Sequence, residues 1–232
     1  MKPVSFGSVW LRPCIRGIIP ATSLWFGLLT IAMLLSSGCL SRPPLAKQSF
    51  AFPLPPPPQI RSKPEMPGLE IRPLRVADPF DGQSFVYRTG AYSYERDPYA
   101  EFLSPPAEVF QDLLRAYLQN SGVFSEVAGQ DSALRPDLMA EIHIDDLYGD
   151  FRDRAAPKAV LRIRIIFFDA KRDASGKVLW QKDYEERVPL QQRTAAALMA
   201  GWNEALGRIM EQLKADLKAE LRPMRHAADA TR

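Results

Sequence analysis

Three runs in the second half of the chain, alternating for the most part between apolar and polar residues, restrict what it can fold into. Leu138, Ala140, Ile142 and Ile144 alternate with Met139, Glu141, His143 and Asp145. Leu161, Ile163, Ile165 and Phe167 alternate with Val160, Arg162, Arg164 and Ile166, and Val178, Trp180, Tyr184 and Val188 form a third run. A period of two puts each apolar set on one face of a strand. The Asp173-Ala174-Ser175-Gly176 turn joins the last two runs, so the pattern predicts an antiparallel meander with one apolar face. The sequence also supplies a cover for that face. From about Thr194 to Leu221, the residues Leu198, Trp202, Ala205, Ile209, Leu213, Leu217 and Leu221 recur at three and four, a helical stripe. Burying it stabilises by roughly 1.5–3 kcal/mol per large side chain. Its far end, beyond about Lys214, is expected to project and make oligomer contacts. After Pro223 the chain is polar, and 223–232 is expected to be a disordered tail.

The preceding part reads as shorter elements. Phe50, Phe52 and Leu54 alternate with polar neighbours over 47–54, a strand that Pro55 to Pro58 stop; four prolines in a row favour a stiff polyproline II spacer. Gly68 to Val76 reads as one strand, with Pro73 marking an edge or bulge. Ser84 to Arg88 and Ala91 to Glu95 are two more, joined at Thr89-Gly90 as a tight hairpin. Tyr87, Tyr92, Tyr94 and Tyr99 read as a half-buried sheet face with hydroxyls at the rim. Ser104-Pro105-Pro106 is a helix start, with Ser104 as cap and Pro105 first in the helix. Phe110, Leu113, Leu114, Tyr117 and Leu118 form its apolar stripe, and Ser121-Gly122 its end. Val123 to Val127 reads as a short strand. Together these predict an α+β fold, a mostly antiparallel sheet covered by two amphipathic helices, in a single domain over 47–222.

The first 40 residues have a different character. Lys2, Arg12 and Arg16 form a positive leader without an acidic residue, followed by an apolar run from Ile18 to Leu35. This order is that of a secretory signal peptide. About 18 apolar residues are also near the length that spans a bilayer, but Pro20, Gly27 and the small residues at its end favour a processed leader over an uncleaved helix. Leu35-Ser36-Ser37-Gly38-Cys39 resembles the lipobox of bacterial lipoproteins, although Ser36 stands where the usual leucine would. The resemblance implies cleavage between Gly38 and Cys39 and lipid attachment at Cys39, palmitate included. Residues 1–38 would then be signal peptide and 39–46 a lipidated tether. Two or more acyl chains anchor stably where one does not. Leu40 is not the aspartate that retains such proteins at the inner membrane, which implies the outer membrane, facing the periplasm.

Charge and cysteine content agree with that compartment. The chain has 30 Lys and Arg against 27 Asp and Glu. The leader alone carries the excess, so the remainder is balanced and nucleic-acid binding has no support. Of the two cysteines, Cys14 leaves with the leader and the lipid consumes Cys39. No thiol or disulfide chemistry remains.

Catalytic signals are scarce. The histidines are His143, on the polar face of a strand, and His226, in the tail. There is no nucleophile elbow, phosphate loop or His-Glu-x-x-His. Asp145 and Asp146 are neighbours on a strand, expected to point to opposite faces. Glu141 and Asp145 are expected to face Arg162 and Arg164 across it. The chain is therefore expected to have no catalytic residues, metal site or cofactor and not to be an enzyme.

One further combination points to a family. It comprises Tyr99, Ser104-Pro105-Pro106, Leu113-Leu114, Leu118, Ser121-Gly122-Val123-Phe124 and Val127, then the meander and terminal helix. From about Lys47 to Leu217 the chain resembles the PqiC/YmbA-like ABC-type transport auxiliary lipoproteins. That resemblance implies a non-enzymatic outer-membrane accessory of an ABC transporter and its MCE-domain subunit, in intermembrane lipid transport, with self-assembly into homo-oligomers. The alternative is a structural or regulatory envelope lipoprotein that binds cell-wall machinery, which the proline spacer suits. A hydrolase with His143 in its site is the third reading.

Overall fold

A computed structural model describes residues 46–53, 64, 66–129, 132, 136–170 and 177–229, with the backbone alone described from 221 onward. Among the described residues, nine strands and two helices follow in order. The strands are β1 (Gln48–Phe50), β2 (Leu69–Ile71), β3 (Arg75–Val76), β4 (Ser84–Arg88) and β5 (Tyr94–Phe102). Helix α1 (Pro106–Asn120) comes next, then β6 (Val127–Gly129), β7 (Leu138–Asp150), β8 (Lys158–Asp169), β9 (Val178–Pro189) and helix α2 (Ala195–Asp229).

The meander is present as the pattern requires. β7 pairs antiparallel with β8 from Leu138 opposite Asp169 to Asp150 opposite Lys158. β8 then pairs antiparallel with β9 from Lys158 opposite Pro189 to Phe168 opposite Val178. The sheet is mostly antiparallel, as expected, through these long pairings and the β4–β5 pairing, but it is mixed: shorter parallel pairings are added at its edges. The other edge of β7 is lined by three short strands in succession. β2 pairs with it at 138–140, β3 at His143 and Ile144, and β4 at Gly149 and Asp150, all parallel. β1 with β5 and β2 with β6 are parallel too, while β4 with β5 is antiparallel. Alternation reports which face a residue takes and carries no signal for the direction of a partner.

Pro73 falls in the break between β2 and β3, where it supplies no ladder donor, so the expected single strand is two. The β4–β5 connection is a five-residue loop closed by Thr89 and Gly90 N–H groups on the Ser93 carbonyl, longer than the expected two-residue turn. The expected strand at Val123 to Val127 starts only at Val127; before it, Phe124 makes an isolated bridge to Met66.

Helix α1 begins one residue later than expected. Pro105 is the cap position, Pro106 is first in the helix, and no side chain caps the end. It ends at Ser121, followed by Gly122 at φ 69, a conformation that favours glycine. Helix α2 continues to Asp229, past the point where a disordered tail was expected. Burial extends to Leu217, so the helix covers the sheet beyond Lys214.

The apolar faces of both helices and the sheet make one core. Trp202 is fully buried, lies at 4.9 Å edge-on to Phe85 and 5.3 Å stacked on Phe102, and donates its indole N–H to the Val160 carbonyl at 3.1 Å. Tyr117 of α1 donates its hydroxyl hydrogen to the Met210 carbonyl of α2, and burial pushes that phenol up to about 12. The Tyr184 hydroxyl donates to Asp216 at 2.7 Å, tying β9 to α2.

Candidate functional site

Gly38 and Cys39, the residues assigned to cleavage and lipid attachment, lie outside the described residues. What the domain offers is the sheet face away from the helices and the loops at one end of the sheet.

The outer face of β7, β8 and β9 is a lattice of ion pairs. Arg164 meets Asp145 at 2.9 Å and Asp183 at 2.9 Å, and Arg162 meets Asp183 at 3.3 Å. Both arginines hold the Asp183 carboxyl below the usual carboxylate range. Glu141 pairs with Arg72 of the neighbouring segment; the expected Glu141 partner on β8 is Ile166 by register. Asp145 and Asp146 share this face, contrary to the expectation. A bulge between Ile144 and Asp146 inserts one residue, which lets Asp145 reach Arg164 while Asp146 stands opposite Arg162. Burial raises the Asp146 carboxyl, and Arg162 only partly offsets it. A bulge has no local sequence signature, so strict alternation missed it.

His143 faces outward. Its Nε2 lies 4.0 Å from Glu141 Oε2. It lines an open groove of about 430 Å³ with Glu70, Arg72, Pro73, Arg75, Met139 and Glu141. Charges of both signs line this groove. Among the described residues there is no group of three or more side chains able to hold a metal ion, and no helix long and apolar enough to cross a membrane.

The other notable surface is the sheet end that carries the β4–β5, β7–β8 and β9–α2 connections. Of the four tyrosines singled out in the sequence, Tyr87, Tyr92 and Tyr94 lie at this end, and Tyr99 lies further along β5 beside Ala100. Tyr87 is half-buried, stacks on Phe151 at 4.8 Å and donates to Asp97; burial, then Asp97, raises its phenol. Tyr94 packs edge-on to Phe80 and Tyr148, with Arg88 over its ring, and is still 43% exposed. Tyr99 is 48% exposed and Tyr92 is 97% exposed. Asp97 accepts the backbone N–H groups of Tyr99 and Ala100 and so shapes the irregularity in β5 that turns Tyr99 outward. Close by, Asp150 grips Arg152 with both oxygens, which holds that carboxyl below its usual range. A cleft of about 320 Å³ opens there among Asp150, Arg152, Asp153, Ala156 and Lys158.

A single mixed sheet with two helices on one face and charged side chains on the other defines an α+β domain. The model of the family described as ABC-type transport auxiliary lipoprotein component matches residues 51–214, and the chain belongs to that family. Among solved structures, protein XCC0632 from Xanthomonas campestris, of the family DUF330, is similar with a TM-score of 0.58 at 17% identity, covering 77% of this chain and 96% of that one. An uncharacterized protein gives a TM-score of 0.51 at 15% identity, over 72% of this chain and 99% of that one. These likenesses are of fold. No curated protein matches the chain.

Proposed function

We propose that this auxiliary lipoprotein of an ABC-type transport system works at the outer membrane, lipidated at Cys39, as a non-catalytic contact partner in lipid transport between the two membranes. Its partners are the ABC transporter and its MCE-domain subunit, and it self-assembles. The family match over residues 51–214 carries this reading. The leader that ends at Gly38-Cys39 supports the anchor. The lattice of arginine and carboxylate groups on the outer sheet face supports action by contact, because such groups set orientation and partner choice more than affinity.

The experiment is affinity purification of the tagged full chain from cross-linked cells, followed by protein mass spectrometry. Recovery of an ABC ATPase, its permease and an MCE-domain protein is expected, with a cross-linked ladder of the chain itself. Recovery of cell-wall synthases without any transporter subunit would overturn the reading.

A further inference from the structure

We propose that the sheet end built by segments 88–97, 150–158 and 189–194 is a membrane-docking surface that seats on the anionic headgroups of the bilayer holding the anchor. The proposal rests on lipidation of Cys39.

Three observations carry it. The first is where the chain enters the fold. β1 runs parallel to β5 with Gln48 opposite Ala100, so the chain before Gln48 comes from the direction of Tyr94 and the 89–93 loop. The nine residues from Cys39 to Gln48 reach at most about 30 Å. Along β5, Tyr92 lies eight residues before Ala100, at most about 26 Å at the rise of a strand. A tether of that length therefore reaches as far as the hairpin tip, so an anchor at Cys39 allows this end of the domain to sit on the bilayer.

The second observation is the side chains presented. Tyr92 stands 97% exposed at the tip, with Tyr94 at 43% behind it. Tyrosine suits the interface, where the ring meets lipid and the hydroxyl stays wet. The third is charge. Residues after the leader balance overall, yet these three segments carry six Arg and Lys against four Asp and Glu. The acidic groups are occupied within the fold: Asp150 by Arg152, Asp97 by Tyr87 and two backbone N–H groups, Glu95 by Thr89 and Asp153 by the Ala155 N–H. Arg154 and Lys158 make no ion pair among the described residues and remain for phosphate. A basic side chain near an anionic surface strengthens binding about fivefold.

The test uses the full lipidated chain in vesicles of phosphatidylethanolamine and phosphatidylglycerol. With Cys14 removed and Cys39 acylated, one introduced cysteine gives a single nitroxide label. Ala91→Cys places it beside Tyr92 while keeping every tyrosine. Val178→Cys is the control, because β9 begins there and ends at Pro189 beside Lys158, the far end of the same strand. Flotation with the vesicles is scored first, then collision of each label with oxygen and with a water-soluble nickel chelate. Docking predicts that the label at 91 is shielded from the chelate while that at 178 is not. Arg154→Glu with Lys158→Glu should lower the docked fraction at least fivefold while flotation persists. A chain that floats with equal chelate access at 91 and 178 overturns docking and leaves the anchor standing. A chain that does not float overturns the anchor and the docking with it.

Discussion

Gly201 and Gly207 lie six residues apart on α2, and the same substitution should move stability in opposite directions at the two. Gly207 is exposed, and a Cβ placed there meets nothing within 4 Å. Alanine then contributes only its helix propensity, a gain of about 1 kcal/mol. At Gly201 a Cβ falls 2.6 Å from Leu190 Cδ2 and 2.7 Å from Ala159 Cβ. The leucine tip can turn aside. Ala159 Cβ is fixed to the β8 backbone, so the helix must lift from the sheet beside Trp202. Overpacking of this kind costs about 1–3 kcal/mol. Against the same propensity gain, Gly201→Ala should lose about 1 kcal/mol net and Gly207→Ala should gain about that much. For a domain of this size each kcal/mol moves the midpoint by about 2–4 °C. Urea unfolding of both variants at an unchanged m value reads the difference directly. If Gly201→Ala stabilises as much as Gly207→Ala, the close approach of α2 to β8 is wrong, and with it the account of what seals the core.

Further outcomes follow from the same contacts. Trp202→Phe should cost about 1–3 kcal/mol in urea unfolding, because the Val160 carbonyl loses its buried donor. Acid titration should show a loss of stability below about pH 4, since Asp183 and Asp150 are held below the ordinary carboxylate range and their contribution, present above it, disappears as they protonate. Arg164→Gln should flatten that acid limb. Asp146 has the opposite sign: its raised carboxyl favours the fold when protonated and loses that contribution as pH rises through its folded value, so Asp146→Asn should raise stability at pH 7 by up to about 0.5 kcal/mol.

The parts of the fold that rest on local pattern were legible. Leu138 to Ile144 and Leu161 to Phe167 point inward as period two requires, and Phe110, Leu114, Leu118, Trp202 and Leu213 fill the core from their helical stripes. Non-local choices were not legible. Parallel docking of β2, β3 and β4 along one edge of β7 depends on long-range pairing that no short window encodes. The bulge that brings Asp145 beside Arg164 rewrote the outer face by one residue. At the docking end, the tyrosines were visible as a group, but the basic excess was not, because Arg154, Lys158 and Arg193 come from segments distant from Tyr92 in sequence. Only the topology, which stacks three connections at one end of the sheet, brings them together.

The anchor underlies both the transport role and the docking surface. Intact mass and fragmentation of the N-terminal peptide, from protein extracted out of its own membrane with detergent, test it most directly. The account predicts a chain that begins at Cys39 and carries diacylglyceryl and amide-linked acyl groups. A chain that still begins at Met1, or a Cys39 with a free thiol, would contradict it.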